Sequence, residues 1–100
     1  MLVEITNYYA HEGQADAVLA QRVRASELRV RLGLPPGRIY KKVEGAGPDV
    51  RWECIFETRA AFDADIASRA ASIEFNRTRQ EMHTLLEKFE RNLQELVGAS

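Results

Sequence analysis

The alternation of apolar and polar positions divides this chain into segments before any other property is considered. Residues 1 to 10, MLVEITNYYA, are rich in β-branched and aromatic types. They alternate, with Val3, Ile5, Asn7 and Tyr9 on one side and Glu4, Thr6 and Tyr8 on the other, which predicts a strand. HEG reads as a turn, and Gln14 to Leu32 holds helix formers without Pro or Gly. Gly33 offers a left-handed C-cap, and Pro35 and Pro36 bar any continuation. RIYKKVE, 38 to 44, predicts a short second strand, and GAGPD a turn. VRWECIFE, 50 to 57, is a third strand that sets Val50, Trp52, Cys54 and Phe56 against Arg51, Glu53, Ile55 and Glu57. Thr58 suits the N-cap of a helix beginning RAAFDADIASRAA, and Ser72 that of another beginning at Ile73.

The segment EKFERNLQELV, 87 to 97, fits two periods. As a helix it extends a stripe through Met82, Leu86, Phe89, Leu93 and Leu96; as a strand it alternates Phe89, Arg91, Leu93, Glu95 and Val97. Propensity favours the helix, because Glu, Lys, Arg, Leu and Gln dominate. Topology favours the strand. Three strands would leave a long edge unpaired, and a fourth at 88 to 97 removes it. The order is then β-α-β-β-α-β with the second helical region in two pieces. That is an α+β, ferredoxin-like split βαβ sandwich, with an antiparallel sheet and helices on one face.

Composition narrows the setting. One hundred residues fit one domain, taken as 1 to 97 with a disordered tail at 98 to 100, and so small a core often needs a partner subunit. Fourteen basic and fifteen acidic side chains give a formal charge of -1, so nucleic acid is not an expected partner. No apolar run approaches the ~20 residues that span a bilayer, so no membrane partner is expected. Cys54 is the sole cysteine, and MLVEITNYY lacks the basic and long apolar regions of a secretory signal; a reducing cytoplasm is the expected location.

Nearly the whole chain carries a resemblance. The opening strand VEITNYY, the helix ending in LGLPPGRIY, the strand VRWECIFE and the run AASIEFNRTRQEMHTLLEKFERNL together resemble the dimeric α+β barrel superfamily, especially its small NIPSNAP-like and uncharacterised bacterial members. The resemblance implies that the segment after MHTLL is the fourth strand, that the chain is a homodimer, and that a cleft takes a small organic ligand. Members of that superfamily include cofactor-independent monooxygenases, haem-degrading, dehalogenating and decarboxylating enzymes, and proteins with no assigned activity. A cofactor-independent oxygenase or related enzyme is therefore one expectation, and a non-enzymatic dimeric interaction or structural protein the other. The haem-degrading members use an asparagine on the first strand, a tryptophan on the third and a histidine on a helix. Asn7, Trp52 and His83 supply these types in order, although His83 lies in the last helix rather than soon after the third strand.

Strand parity sorts the candidate residues. A split βαβ sheet has one face under helices and one bare face, which two subunits can cover by packing sheet on sheet. Val3, Ile5, Trp52, Cys54 and Phe56 form the apolar set expected under the helices. Glu4, Thr6, Tyr8, Arg51, Glu53, Ile55 and Glu57 are then expected in the intersubunit cleft, unless a bulge reverses the parity and brings Trp52 and Asn7 there. Glu4 or Glu53 near Arg51 would serve as base or ligand anchor, with Tyr8, Tyr9 and Tyr40 orienting a phenolic ligand; alternatively these charges pair between subunits. On the first helix, Arg22 and Arg29 interrupt an apolar arc. The structural expectation is carboxylate partners, from Asp63, Asp65 or Glu74, with the stems packed and the heads reaching water; the functional alternative is an anion-binding groove. No metal-ligand spacing surrounds His11, and no nucleophile elbow, phosphate loop or CxxC is present, so no metal or cofactor is expected.

Overall fold

The computed structural model describes residues 1 to 98. Its elements run β1 (Leu2–Ala10), α1 (Ala15–Arg31), β2 (Arg38–Lys41), β3 (Val50–Phe56), α2 (Arg59–Ala70), α3 (Ile73–His83) and β4 (Leu86–Glu95). The ambiguous segment is a strand. It begins two residues earlier than expected, and Val97 lies beyond it, although Leu96 N still donates to Met1 O at 2.9 Å. Pairing with β1 overrides helix propensity: β4 runs antiparallel to β1 from Leu2 opposite Glu95 to Tyr8 opposite Phe89. The sheet order is β2-β3-β1-β4, entirely antiparallel. Of the tail expected at 98 to 100, residues 99 and 100 lie outside the described residues.

The helix signals act where the sequence puts them. Gly33, at φ 78°, closes α1, with Gly33 N donating to Val30 O and Leu34 N to Arg29 O. This is the paired pattern that satisfies the last free carbonyls of a helix. Thr58 Oγ1 accepts from Ala61 N at 3.1 Å, and Ser72 Oγ accepts from Phe75 N at 3.0 Å, capping α2 and α3. On α1, Val18, Ala25 and Leu28 are buried, while Val23 and Val30 stay exposed.

Register assigns the faces and corrects one expectation. Leu2, Glu4, Thr6 and Tyr8 stand opposite Phe56, Cys54, Trp52 and Val50, so all eight share the face under the helices. For β3 the expected parity holds. For β1 it is reversed: Val3, Ile5, Asn7 and Tyr9 point to the open face, and Glu4, Thr6 and Tyr8 lie beneath the helices. The carboxylate of Glu4, 2% exposed, can lie there because Arg69 grips it at 3.1 and 2.7 Å and Arg91 binds it at 2.9 Å. A buried charge is tolerated when its partners satisfy it.

The loop between α1 and β2 fixes the core around Trp52. Pro36 O accepts from Trp52 Nε1 and from Ser26 Oγ, both at 2.9 Å, and Pro35 O accepts from Arg29 Nε at 2.7 Å. Gly37, at φ 76°, leaves no room for a side chain: a Cβ there would clash with the Trp52 indole and lie 2.7 Å from Glu53 O. Arg29, fully buried, also makes a two-pronged pair with Asp65 at 3.1 and 2.7 Å. Two outcomes are expected in urea unfolding. Asp65→Ala, which strands the Arg29 charge, lowers stability by about 3–5 kcal/mol. Gly37→Ala lowers it by at least ~2 kcal/mol, with a shift in Trp52 fluorescence as the indole loses its seat.

Candidate functional site

A cavity of about 320 Å³ lies between the sheet and the helices α1 and α3. Its floor is the helix-side face of the central strands, with Glu4, Thr6 and Tyr8 from β1 and Trp52 from β3. Gln21, Arg22 and Ala25 of α1 form one wall. The other is the α3 face carrying Phe75, Thr78, Arg79, Met82 and His83, joined by Leu86, Phe89 and Arg91 of β4 and Arg69 of α2. The mouth opens between α3 and β4, where Arg79, His83 and Phe89 are exposed and the His83 and Phe89 rings meet edge to face at 4.8 Å. The buried part of the lining combines apolar side chains, Trp52, Phe75, Met82 and Leu86, with buried polar ones, Glu4, Thr6, Gln21 and Arg22, a mixture found in small-molecule sites.

The two arginines that broke the apolar arc of α1 have different fates. Arg29 finds Asp65, as one expectation had it. Asp63 pairs instead with Arg59, and Glu74 with Arg31, both at the surface. Arg22 finds no carboxylate among the described residues. It is 5% exposed; its Nη1 donates to Tyr8 Oη at 3.1 Å and its Nη2 to Ser26 Oγ at 3.3 Å, while its Nε has no partner among the described residues. Its guanidinium lies 4.5 Å from the Trp52 ring centroid, with that of Arg29 at 4.9 Å. Burial pushes Arg22 down from the ordinary arginine value; the Tyr8 hydroxyl opposes that, and Arg29 and Arg69 reinforce it. An arginine stays protonated regardless, so the direction records a charge without compensation.

The sequence candidates separate onto the two faces of the sheet. Glu4 and Tyr8 line the cavity; Tyr40, Arg51 and Glu53 lie on the open face and bind one another. Glu53 accepts from Tyr40 Oη at 2.7 Å and from Arg51 Nη2 at 3.1 Å. The Tyr40 hydrogen bond and Arg51 hold Glu53 below the ordinary glutamate value against the upward push of burial. Glu4 is saturated by Arg69 and Arg91, so it organises the floor rather than offering a free base. Tyr9, on the open face, donates to Glu90 at 2.9 Å, and the hydrogen bond to that carboxylate raises its own value. Trp52 and His83 both line the cavity, but Asn7 points to the opposite face, so the three do not share a site. Burial raises the Cys54 thiol, which packs in the core with Trp52 and Phe56. Sequence reasoning missed the α3 wall. Phe75 and Met82, seven residues apart, gave the signal of one buried helix face, but not that a void lay against it.

Among the described residues, no group of three or more His, Cys, Asp or Glu side chains could hold a metal ion, and no helix is long and apolar enough to cross a membrane.

No protein-family model and no curated protein sequence matches the chain. Several solved structures do. An uncharacterized NIPSNAP domain protein from Burkholderia xenovorans has a TM-score of 0.73 at 18% identity, covering 100% of this chain and 96% of that one. SnoaB from Streptomyces nogalater, a cofactor-independent oxygenase solved as a mutant, has a TM-score of 0.70 at 15% identity, covering 98% and 94%. A dimeric protein of unknown function and ferredoxin-like fold from Bacteroides fragilis has a TM-score of 0.71 at 12% identity, covering 95% of each chain. With the strand order and register above, these likenesses show the fold: the chain is a ferredoxin-like α+β domain, built as NIPSNAP domain proteins and SnoaB are built.

Proposed function

We propose that this chain binds a small organic molecule in the cavity between its sheet and the helices α1 and α3, and acts on it as a cofactor-independent oxygenase or related enzyme. The observation that carries the reading is the cavity of about 320 Å³, whose lining includes the buried Tyr8 and Arg22 beside Trp52, Phe75, Met82 and Leu86. SnoaB, with the same fold, lends the reaction class. A buried cation favours a bound ligand that has given up a proton, and an electron-rich anion is the form of an organic molecule that can itself react with dioxygen.

The open face supports association into a homodimer. Val3 and Ile55 lie there with Tyr40, and two buried polar atoms on it, Asn7 Oδ1 and Arg51 Nε, have no partner among the described residues. Packing against a second copy would cover the apolar area and supply partners for both atoms. The second reading, a dimeric interaction protein without activity, rests on this same network.

Ligand binding separates the two readings. A ligand present at 100 times its Kd is expected to add about 2.7 kcal/mol to stability, read as a rise in melting temperature. Ala25→Phe, which fills the cavity, is expected to abolish that rise while leaving the dimer, measured by sedimentation, unchanged. Dioxygen uptake dependent on the same ligand supports the enzyme. A panel of small aromatic and aliphatic molecules that leaves the wild-type melting temperature unmoved sinks the cavity reading. The open face has its own test. Glu53 is charged more readily when folded, so its network contributes fully above the ordinary glutamate pKa of about 4.3 and is lost as pH falls through the depressed value. Tyr40→Phe is expected to raise the Glu53 midpoint, followed by carboxyl-carbon NMR.

A further inference from the structure

We propose that the occupant of the cavity is an organic monoanion with a flat apolar body, whose acidic head sits against Arg22 and the hydroxyl of Tyr8. This rests on the cavity reading above and adds the charge and the orientation of the ligand.

Charge balance is the main support. Four arginines line the cavity, Arg22, Arg69, Arg79 and Arg91, and a single carboxylate, Glu4. That carboxylate is already shared by Arg69 and Arg91, and Asp65 is taken by Arg29 with Arg69 at 3.5 Å. Arg79 is exposed and solvated at the mouth. Arg22 alone is both buried and without a carboxylate. An isolated charge in such surroundings is costly unless something compensates it. Tyr8, Ser26 and the Trp52 face hold the guanidinium in place, but none of them is an anion.

Hydrogen-bond polarity points the same way. Tyr8 Oη accepts from Arg22, and its own proton has no acceptor among the described residues. A hydroxyl hydrogen and a guanidinium, side by side at the closed end of a chamber, form a donor-only pocket suited to a carboxylate or phenolate oxygen. Between that pair and the mouth, Phe75, Met82, Leu86 and Phe89 add apolar surface to the lining, which fits a ring or short hydrocarbon body.

A matched pair of probes tests the charge apart from the cavity. Calorimetric titration at pH 7 and constant ionic strength compares 2-naphthoate with the isosteric neutral 2-naphthamide. Wild type is expected to bind the carboxylate at least about tenfold more tightly. Arg22→Met is expected to bring the two within about twofold, and Tyr8→Phe to weaken the carboxylate several-fold while changing the amide little. Without ligand, Arg22→Met is expected to melt no lower than wild type, because removing an uncompensated buried charge relieves its cost. Should Arg22→Met fail to fold, Arg22→Gln keeps a donor without the charge and must show the same loss of preference. Equal binding of the two probes by wild type overturns the anion and leaves the cavity reading standing. Sodium chloride reproducing the whole effect of naphthoate also overturns it, since a simple inorganic ion would then be the occupant. Binding of neither probe, with Ala25→Phe indistinguishable from wild type, overturns both readings.

Discussion

A chain of ion pairs runs beneath the sheet, from Arg29 on α1 through Asp65 and Arg69 on α2 to Glu4 on β1 and Arg91 on β4. Three guanidinium groups share two carboxylates, and each carboxylate is held by more than one of them. Burying such groups is costly, so the arrangement survives only if every link is made at once. That requirement sets the side of β1 that faces the helices. With Glu4 turned inward, Thr6 and Tyr8 follow by alternation, and the floor of the cavity is thereby composed. An inward Val3 and Ile5 would have built an ordinary apolar core and placed Tyr8 away from Arg22.

Much of the fold could be read from the residues themselves. Gly33 with the prolines behind it, Thr58 and Ser72 mark helix ends through local chemistry, and local chemistry is what a sequence displays. β4 was legible through topology and the family resemblance rather than locally, since its composition suits a helix and the pairing with β1 decides the matter. The face of β1 could not be read in this way. Its determinants, Arg69 and Arg91, lie 65 and 87 residues from Glu4, so a rule that turns apolar residues inward, applied to one strand at a time, gives the wrong side. Arg22 and Arg29 announced themselves by interrupting an apolar arc, yet only three-dimensional structure distinguishes the paired one from the unpaired one. A void is less legible still, because it is the space that packing leaves over.

The two faces of one strand thus serve separate purposes. Glu4, Thr6 and Tyr8 look toward a chamber, while Val3, Ile5 and Asn7 look toward a surface that a second subunit could cover. Because alternate residues carry the two roles, a change in one face need not disturb the other. Glu53 and Arg51, which the sequence invited as ligand anchors, belong to the second face and hold each other there.

The position of β1 at the centre of the sheet has a temporal consequence. It is the earliest of the strands to leave the ribosome, yet its neighbours on either side are β3 and β4, the latter more than 75 residues later. Pairings of such long sequence separation are slow to form, because loop closure must come before any contact compensates it. Glu4 waits unpaired until Arg69 and then Arg91 have been made. The chamber floor is laid by the first strand of the sheet to be made, and its rim is closed by the last.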